Sequence, residues 1–596
     1  MAEDAPSILQ NISFRGRVRP RLSAETIGML QALLASSARG PLIWLGLALV
    51  IVIGVTAYGQ IELNAWNKPF YDALSRRDVD EFLVQLGVFG VIASALLVLN
   101  VAQTWLNQMT RMKLREGLTR DLLAQWLAPK RAFMLAGAGE IGVNPDQRIH
   151  EDARHLADLT TDLGIGLLQA ALLLACFIGV LWSLSGGVTF HFAGKSFVLP
   201  GYMVWSALLY AGAASLASWI VGRPLVELNA EHYARESELR FALVHVNEQR
   251  EGIAVYRGEA EEELRLNANF DSLLSLLRRL VLATTNLTWV TAGYGWFTIV
   301  APVLVAAPAF FAGDLTIGGL FMSVGAFTQV QQSLRWFVDN AGAIADWRAT
   351  LHRVGALRLA LLEIDRMGRE ASRIDVGASA IDRLVIDDLR VFLPSGCIRL
   401  NEPKVEIARG ERVLIVGESG SGKTCLFRAM AGLWPWGAGR LTLPREESVL
   451  FMPKRPFIPD GTLRDVLAYP SPPEAFTEQQ FDAALTRMGL AHLSPALDRD
   501  ARWDQELSDP EQQGLAFARL LLHQPDCVVV DEAIEALIPA ARDAVFDIFA
   551  KELASASLLY IGGPHSMPAR YTRVLRLVLD PGERRLARLG VAAGGG

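Results

Sequence analysis

The chain has 596 residues, of which 51% are hydrophobic and 20% charged, with a formal net charge of −6 and a mean hydropathy of +0.26. This excess of apolar over charged residues excludes a disordered or collagen-like chain and favours segments embedded in a membrane. The negative net charge gives no support to bulk nucleic-acid binding. The four cysteines form no CxxC pair, which argues against a disulfide scaffold or a zinc ribbon.

The first half of the chain contains six apolar stretches, each near the length that crosses a bilayer as a helix. The first, Pro41–Tyr58, has no charged residue, and it begins too late and runs too long for a secretory signal peptide. The sixth, about Leu315–Val338, is interrupted by Arg335 and several glutamines, which predicts a helix with one face on a polar cavity. The other four are expected at about Phe82–Trp105 and Leu163–Leu184, at Val198–Val221 and within Val281–Gly313.

Basic residues are concentrated in alternate connections, and they predict the orientation of the spans. The N-terminal segment and the connections after the second and fourth spans are rich in Arg and Lys, whereas the connection after the third holds only Lys195. Because Lys and Arg stay on the cytoplasmic side, we expect six spans with both termini in the cytoplasm. The two long basic connections also suit helices that extend below the membrane and press on a cytoplasmic domain.

From Ile381 onward, short β-rich runs alternate with helical patterns. The buried-strand run VLIV is followed at once by GESGSGKT, which is the pattern GxxxxGK[ST], and then by a helical pattern. The glycines let successive backbone N–H groups face phosphates, Lys423 reaches the β- and γ-phosphates, and Thr424 ligates magnesium. This context separates the motif from a chance glycine-rich turn and predicts ATP binding. The predicted nucleotide-binding residues here are Gly417, Glu418, Ser419, Gly420, Ser421, Gly422, Lys423, Thr424 and Cys425.

A second buried-strand run, Cys527–Val530, ends in two carboxylates about 110 residues after the phosphate loop. We expect Asp531 to hold magnesium, directly or through water, and Glu532 to polarise the attacking water. The alternative, surface acids at an ordinary strand end, is disfavoured by the preceding phosphate loop. Phe392 lies 25 residues before Gly417 and is a candidate to stack on adenine, with a core strand residue as the alternative.

The order of motifs resembles that of the ABC transporter ATPases: a phosphate loop, a helical insert, a signature at LSDPEQQ, an acidic strand and a switch histidine, His565. Several stretches are similar to one subgroup, the fused permease–ATPase half-transporters related to SbmA/BacA peptide-uptake proteins, to cobalamin and peptide importers and to peroxisomal acyl-CoA transporters. The resemblance covers about residues 40–580. Its clearest stretches are LNAWNKPFYDAL, GRPLVELN, AGLWPWGAG, FMPKRPFIPDGTLRDVLAYP and EQQGLAFARLLLHQPD.

The resemblance implies a six-span, exporter-type helical permease domain followed by an α/β P-loop NTPase domain, with ATP and Mg²⁺ as cofactors. It implies that Glu532 and His565 are catalytic and that Ser508, in the signature, contacts nucleotide. In such ATPases two domains pair head to tail, so that one phosphate loop meets the other subunit's signature. A homodimer, or a heterodimer with another half-transporter, is therefore expected. The implied cargo is a peptide or a bulky hydrophilic compound such as cobalamin, moved inward across a bacterial inner membrane.

Several positions depart from the family pattern. Ser508 is followed by Asp509 and Pro510 where the family has Gly-Gly or, in this subgroup, any residue and then Gly. Pro510 has no N–H to offer a γ-phosphate, and Asp509 adds a negative charge. Lys454 replaces the glutamine that senses magnesium, and Ile538 replaces the aspartate that communicates across the dimer interface. Slow or asymmetric hydrolysis and ordinary turnover are both compatible with these changes.

We expect an N-terminal cytoplasmic segment at 1–40, the permease domain at 41–340, a helical linker at 341–380, the ATP-binding domain at 381–585 and a flexible tail at 586–596. The leading hypothesis is an ATP-driven transporter that contacts membrane lipid and binds no nucleic acid. The alternatives are a permease driven by an ion gradient, with a degenerate regulatory ATP-binding domain, and an acyl-CoA or lipid transporter. Against the gradient-driven permease, no carboxylate lies in the middle of the first five spans.

Overall fold

The computed structural model describes residues 39–135, 144–185, 189–192, 195–198, 200–367, 374–378, 383–393, 395–445, 448–563 and 568–582. These described residues divide into two compact units. One is helical and holds residues 39–124 and 144–356; the other holds 125–135 and the residues from 357 onward, and is built on a β-sheet. Most of the expected N-terminal segment and all of the expected tail lie outside the described residues.

The helical unit is dominated by long apolar helices. Within the described ranges, five helices are long and apolar enough to cross a membrane, which confirms a helical membrane domain. The helix bounds are α1 Arg39–Arg76, α2 Val79–Trp126, α3 Arg131–Leu135, α4 Pro145–Gln147, α5 Ala153–Leu184, α6 Tyr202–Glu248, α7 Arg250–Tyr256, α8 Glu259–Phe311, α9 Ile317–Asp339 and α10 Ala341–Met367.

The expected sixth span corresponds to α9, a helix of 23 residues. It is not among the five, because the glutamines of its second half lower its hydropathy. The count of six spans therefore stays a prediction. The expected start of the fourth span at Val198 is wrong, since that residue ends a short strand, β2, which pairs with β1 before α6 begins. The bounds of this hairpin are Thr189–Phe192 and Lys195–Val198.

Three of the helices are much longer than a bilayer requires. Helices α2, α6 and α8 have 48, 47 and 53 residues, whereas about 20 residues cross the apolar core. Their charged ends stay helical because oppositely charged side chains meet one turn apart, as Glu116 does with Lys113 and Arg120. The apolar window of α2 is entirely unburied. An apolar helix surface that the protein itself does not cover needs an apolar environment, which a lipid bilayer supplies.

Helix ends and helix faces in this unit are joined by specific polar contacts. The rings of Tyr210 and Tyr294 stack at 4.2 Å between α6 and α8, and each hydroxyl donates to the other residue's backbone carbonyl. At the end of α1, the carboxylate of Asp72 accepts from Gly318 N and Thr316 Oγ1, both at 2.9 Å, and so caps α9. These bonds satisfy polar groups that an apolar medium would leave unpaired.

The second unit is a mixed sheet with helices on both faces. The strand bounds are β3 Asp375–Ala378, β4 Leu384–Leu393, β5 Gly396–Leu400, β6 Lys404–Ile407, β7 Arg412–Val416, β8 Gly437–Leu443, β9 Val449–Met452, β12 Cys527–Asp531, β13 Ser557–Gly562 and β14 Arg573–Asp580, with a separate two-residue pair, β10 Gly461–Thr462 and β11 Asp500–Ala501. The strand order in the sheet is β3-β8-β4-β5-β14-β7-β13-β12-β9, and β6 pairs with β4.

The helices of this unit cover a sheet that is buried on both faces. The central strands β7, β12 and β13 are runs of Val, Leu and Ile, as expected for parallel strands with no solvent face. One core contains Phe481, Trp503 and Phe517, and the other contains Phe427 and Trp434. The helix bounds are α11 Lys423–Met430, α12 Leu463–Ala468, α13 Glu478–Arg487, α14 Trp503–Glu506, α15 Asp509–His523 and α16 Pro539–Ala550.

Candidate nucleotide-binding site

The candidate site forms where three parallel strands end side by side. In the register of the sheet, Ile561 of β13 lies opposite both Ile415 of β7 and Asp531 of β12. The segments after β7 and β12 therefore leave the sheet at the same edge, where ligands of parallel sheets bind. Gly417 N donates to Gly562 O at 3.3 Å, which ties the start of the phosphate loop to the neighbouring strand.

The glycines of the phosphate loop adopt conformations that other residues rarely take. Gly420 and Gly422 have φ of 79° and 87°, in the left-handed region that favours glycine. A Cβ on Gly422 would lie 2.8 Å from Leu393 Cδ1, so no side chain fits there without a shift. The turn therefore stays narrow and leads directly into α11, whose first-turn N–H groups have no intrahelical acceptor. This is the arrangement that binds phosphate at a helix N-terminus.

Glu532 lies between two lysines. Its Oε1 is 2.7 Å from Lys423 Nζ, and its Oε2 is 2.8 Å from Lys454 Nζ. Lys423 also donates to Gly417 O at 3.1 Å. Burial by itself would raise the pKa of Glu532, but the hydrogen bonds from both lysines outweigh it and hold that pKa below its usual value. Glu532 is thus an ionised, half-buried carboxylate beside the phosphate loop.

Asp531 and Thr424 supply oxygen atoms next to this carboxylate. Burial raises the pKa of Asp531 to about 6, against an opposing hydrogen bond from Thr424. Asp531 Oδ1 and Ser421 Oγ are buried without a hydrogen-bond partner in the described part of the chain. Oxygens left unpaired in this way fit a hard cation such as Mg²⁺ and the phosphate it accompanies. Nowhere in the described ranges do three or more His, Cys, Asp or Glu side chains form a metal site, and a magnesium ion shared with nucleotide needs few protein ligands.

The signature segment is engaged with itself. Ser508 immediately precedes α15, and its backbone N and its Oγ both donate to Glu511 Oε2, at 2.9 and 2.7 Å. His492 Nε2 lies 3.3 Å from the other oxygen of Glu511. The hydrogen bonds to Ser508, first its side chain and then its backbone, lower the pKa of Glu511. Pro510 occupies the first turn of the helix. The hydroxyl that was expected to contact nucleotide therefore donates to a carboxylate of its own helix.

Residues 125–135 pack within the same unit as the phosphate loop. The guanidinium of Arg428 lies 5.7 Å from the centre of the Phe133 ring, and a Cβ on Gly432 would lie 2.6 Å from Lys130 Nζ. Arg428 lies in the last turn of α11, the helix that begins at Lys423. A segment that follows the second long apolar helix thus contacts the helix that begins at Lys423.

Four other positions from the sequence analysis remain: Phe392, Cys425, Ile538 and His565. Phe392 is only 5% exposed and lies in the core beside Trp434, whose indole N–H donates to Phe392 O. A ring buried in this way has no free face for adenine, so the structure favours the alternative, a core strand residue. Cys425 is buried on α11, and burial raises the pKa of its thiol. His565 lies outside the described residues, and Ile538 is exposed just before α16.

Sequence reasoning identified Lys454 only as a departure from a pattern and missed its contact with Glu532. The contact joins residues 78 positions apart, and no local motif indicates it. The packing of residues 125–135 against α11 was likewise not assigned to particular side chains. A basic connection between two apolar stretches was the only signal, and it predicted contact with a cytoplasmic domain without indicating which side chains meet.

Comparisons with known proteins agree with both units. Residues 29–311 match the family "ABC transporter transmembrane region 2", and residues 400–535 match the family "ABC transporter". The chain belongs to the ABC transporters. It is 28% identical over 488 residues to the inner membrane ABC transporter ATP-binding protein YddA of Escherichia coli, covering 81% of this chain and 84% of that protein.

Two further relatives come from eukaryotes. ABC transporter D family member 2, chloroplastic, of Arabidopsis thaliana is 28% identical over 592 residues, covering 87% of this chain and 81% of that protein. The lysosomal cobalamin transporter ABCD4 of Mus musculus is 26% identical over 614 residues, covering 94% and 96%. The chain is thus a multi-pass membrane protein that binds ATP and couples its hydrolysis to transport, and half-transporters of this type act as dimers. The gradient-driven and acyl-CoA alternatives are not favoured.

Proposed function

We propose that the chain is one half of a dimeric, ATP-driven importer of the SbmA/BacA-like subgroup, in the inner membrane of a bacterium, with both termini in the cytoplasm. The observation that carries the proposal is the meeting of Lys423 and Glu532 at 2.7 Å, at the sheet edge of a chain that also holds long apolar helices. The inner-membrane location is supported by the name of the Escherichia coli relative. The orientation is supported by the basic connections.

In this proposal each residue of the site has a defined role. The loop from Gly417 to Gly422 holds the phosphates with its backbone N–H groups, and Lys423 leaves Glu532 to bind the β- and γ-phosphates. Thr424 and Asp531 would hold magnesium, which when bound would supply positive charge against the phosphates. Glu532 then orients the attacking water and accepts its proton through the oxygen that Lys423 releases.

The cargo in this proposal is a peptide or a bulky hydrophilic compound such as cobalamin, moved inward. The printed name of the Mus musculus relative supports cobalamin as a candidate. The contact of Arg428 with Phe133 supports a route for coupling, because a shift of α11 on nucleotide binding would move residues 125–135 with it. Residues 125–135 continue directly from α2, the helix that contains the second apolar stretch.

The signature segment bears on whether the dimer is a homodimer or a heterodimer. Ser508 is held by Glu511 and Pro510 has no N–H, so this signature is a poor partner for a γ-phosphate. We propose that the competent site pairs this chain's phosphate loop with a signature whose donors are free. Such a signature comes from another half-transporter, or from this chain after Ser508 leaves Glu511.

The test is the change Glu532→Gln in the purified chain in lipid vesicles. Without the carboxylate no group accepts the proton of water, so we expect hydrolysis and ATP-dependent uptake of labelled cobalamin or peptide to fall together, by about 100-fold or more. Asp580→Asn, a strand-end acid remote in sequence, serves as the matched control. Uptake that survives Glu532→Gln and collapses when an uncoupler is added would contradict the proposal.

A further inference from the structure

Lys454 replaces the glutamine of the family pattern, but that replacement by itself does not explain where the lysine side chain lies. Its ammonium is 2.8 Å from Glu532 Oε2, while Lys423 is 2.7 Å from Oε1 of the same carboxylate. Only one of these lysines belongs to the phosphate loop. When Lys423 moves to the phosphates, Lys454 remains as a second cation at the edge of the site.

The backbone of Lys454 is fixed, whereas its side chain can move. Gln513 of α15, almost fully buried, donates from its amide to Lys454 O. This bond ties the loop after β9 to the helix of the signature. The Lys454 side chain is 67% exposed, so the ammonium at the end of its four-carbon stem has room to turn toward a ligand.

The charges around the site favour a phosphate ligand for this ammonium. Lys423 and Lys454 oppose Asp531 and Glu532, two positive against two negative side chains. With a neutral glutamine at position 454 the same set would be negative and would repel a polyphosphate. An ammonium has three donors, and the bond to Glu532 uses one of them.

We propose that Lys454 is a further phosphate-binding residue, whose ammonium bridges Glu532 and the γ-phosphate of ATP. It supplies part of the positive charge that a divalent cation otherwise supplies in the site. Nucleotide affinity in this protein therefore depends less on Mg²⁺ than it does when residue 454 is glutamine. The inference rests on ATP binding at the phosphate loop, and it adds a residue to that site.

The experiment measures the Kd of a fluorescent ATP analogue for the full-length chain in detergent, in excess Mg²⁺ and in EDTA. The compared quantity is the ratio of the Kd in EDTA to the Kd in Mg²⁺. We expect this ratio to rise at least fivefold from the wild type to Lys454→Gln. Lys454→Arg keeps the charge and should keep the wild-type ratio. Lys551→Gln removes another exposed, carboxylate-paired lysine and should also leave the ratio unchanged.

A rise of less than fivefold in Lys454→Gln, or an equal rise in Lys551→Gln, overturns the inference. A rise in Lys454→Arg that matches the one in Lys454→Gln overturns it as well, since the charge would then not be the cause. Because the Lys454 side chain is exposed, the variants should fold, and thermal unfolding of each one checks this. Failure of the underlying function is distinct: the wild type itself would then not bind the analogue in Mg²⁺.

Discussion

Two helices of the sheet unit begin at the segments that an ABC ATPase uses to hold nucleotide, and their first turns are built differently. Helix α11 follows Gly422, and no side chain of the described residues caps it. Helix α15 follows Ser508, whose N and Oγ both donate to Glu511, and its first turn contains Asp509 and Pro510. The N-terminus of α11 leaves its N–H groups to a ligand, whereas the donors of Ser508 at the N-terminus of α15 are bonded within the chain.

The contrast between α11 and α15 shows that a helix N-terminus can bind an anion only when nearby side chains leave its first-turn N–H donors without an acceptor. At α11, the glycines leave the backbone donors uncovered, and Lys423 adds a positive charge beside them. At α15, the first turn carries the carboxylates of Asp509 and Glu511, and negative charges there repel a phosphate. The loop half of the site thus leaves its donors open, whereas the donors of Ser508 in the signature half are engaged within the chain.

The largest effect is expected at α11, from Lys423→Ala. The change removes the charge-assisted hydrogen bonds to two phosphates, at about 1.5–3 kcal/mol each, so ATP affinity and hydrolysis should fall by about 100-fold or more. Calorimetric binding and phosphate release measure both. Lys404→Ala, which removes an exposed lysine paired with Glu406, should change neither. Unaltered ATP binding in Lys423→Ala would contradict the proposal that Lys423 and the N-terminus of α11 bind the phosphates.

A smaller effect of opposite sign is expected at α15, from the double change Asp509→Gly and Pro510→Gly. It removes one negative charge, worth about 1 kcal/mol near a phosphate in water, and restores one N–H donor. Hydrolysis by the purified chain alone should rise about fivefold.

The matched control for this double change is Asp460→Asn, an exposed acid outside the signature. It should leave phosphate release at the wild-type rate. An unchanged rate in the double variant would show that the working site borrows its signature from a different subunit, and a heterodimer would then replace the homodimer in the proposal.

Glu511→Gln probes the internal bond by itself. An amide holds Ser508 less strongly than a carboxylate, so the hydroxyl is released more readily and hydrolysis should rise about two- to threefold, equivalent to roughly 0.5 kcal/mol. The weaker cap should cost the domain about 0.5–1 kcal/mol of unfolding free energy. Phosphate release and denaturant unfolding test the two parts, and a fall in hydrolysis would show that Glu511 assists the site.

The smallest effect on nucleotide is expected from Phe392→Leu, on the strand whose end packs against Gly422. Because Phe392 is buried beside Trp434, the change should lower the free energy of unfolding by about 1 kcal/mol and alter ATP affinity less than twofold. Trp436→Leu, a half-buried aromatic of the same core, serves as a control for packing. A loss of ATP affinity greater than tenfold in Phe392→Leu would instead indicate that the Phe392 ring contacts adenine.

Local patterns predicted much of this protein because each depends on residues that are close in the chain. Apolar runs longer than a bilayer indicated the membrane helices. A strand followed by glycines, Lys423 and Thr424 indicated a phosphate loop, and two acids after a buried strand indicated its partner. The count of spans was less certain for a physical reason. The glutamines of α9 make it less apolar than the other long helices, and such a helix is tolerated when its polar side chains face other helices or a water-filled cavity.

The sequence by itself determined the two kinds of domain, the ATP-binding motif and the family, because periodicity and short motifs are properties of neighbouring residues. The tertiary structure alone decided which distant side chains meet. It brought Lys454 to Glu532, engaged Ser508 with Glu511, buried Phe392 and packed Phe133 against Arg428. Except for the Ser508 bond, these contacts join separate elements. Their geometry follows from the order of strands and the packing of helices, which no short stretch of sequence encodes.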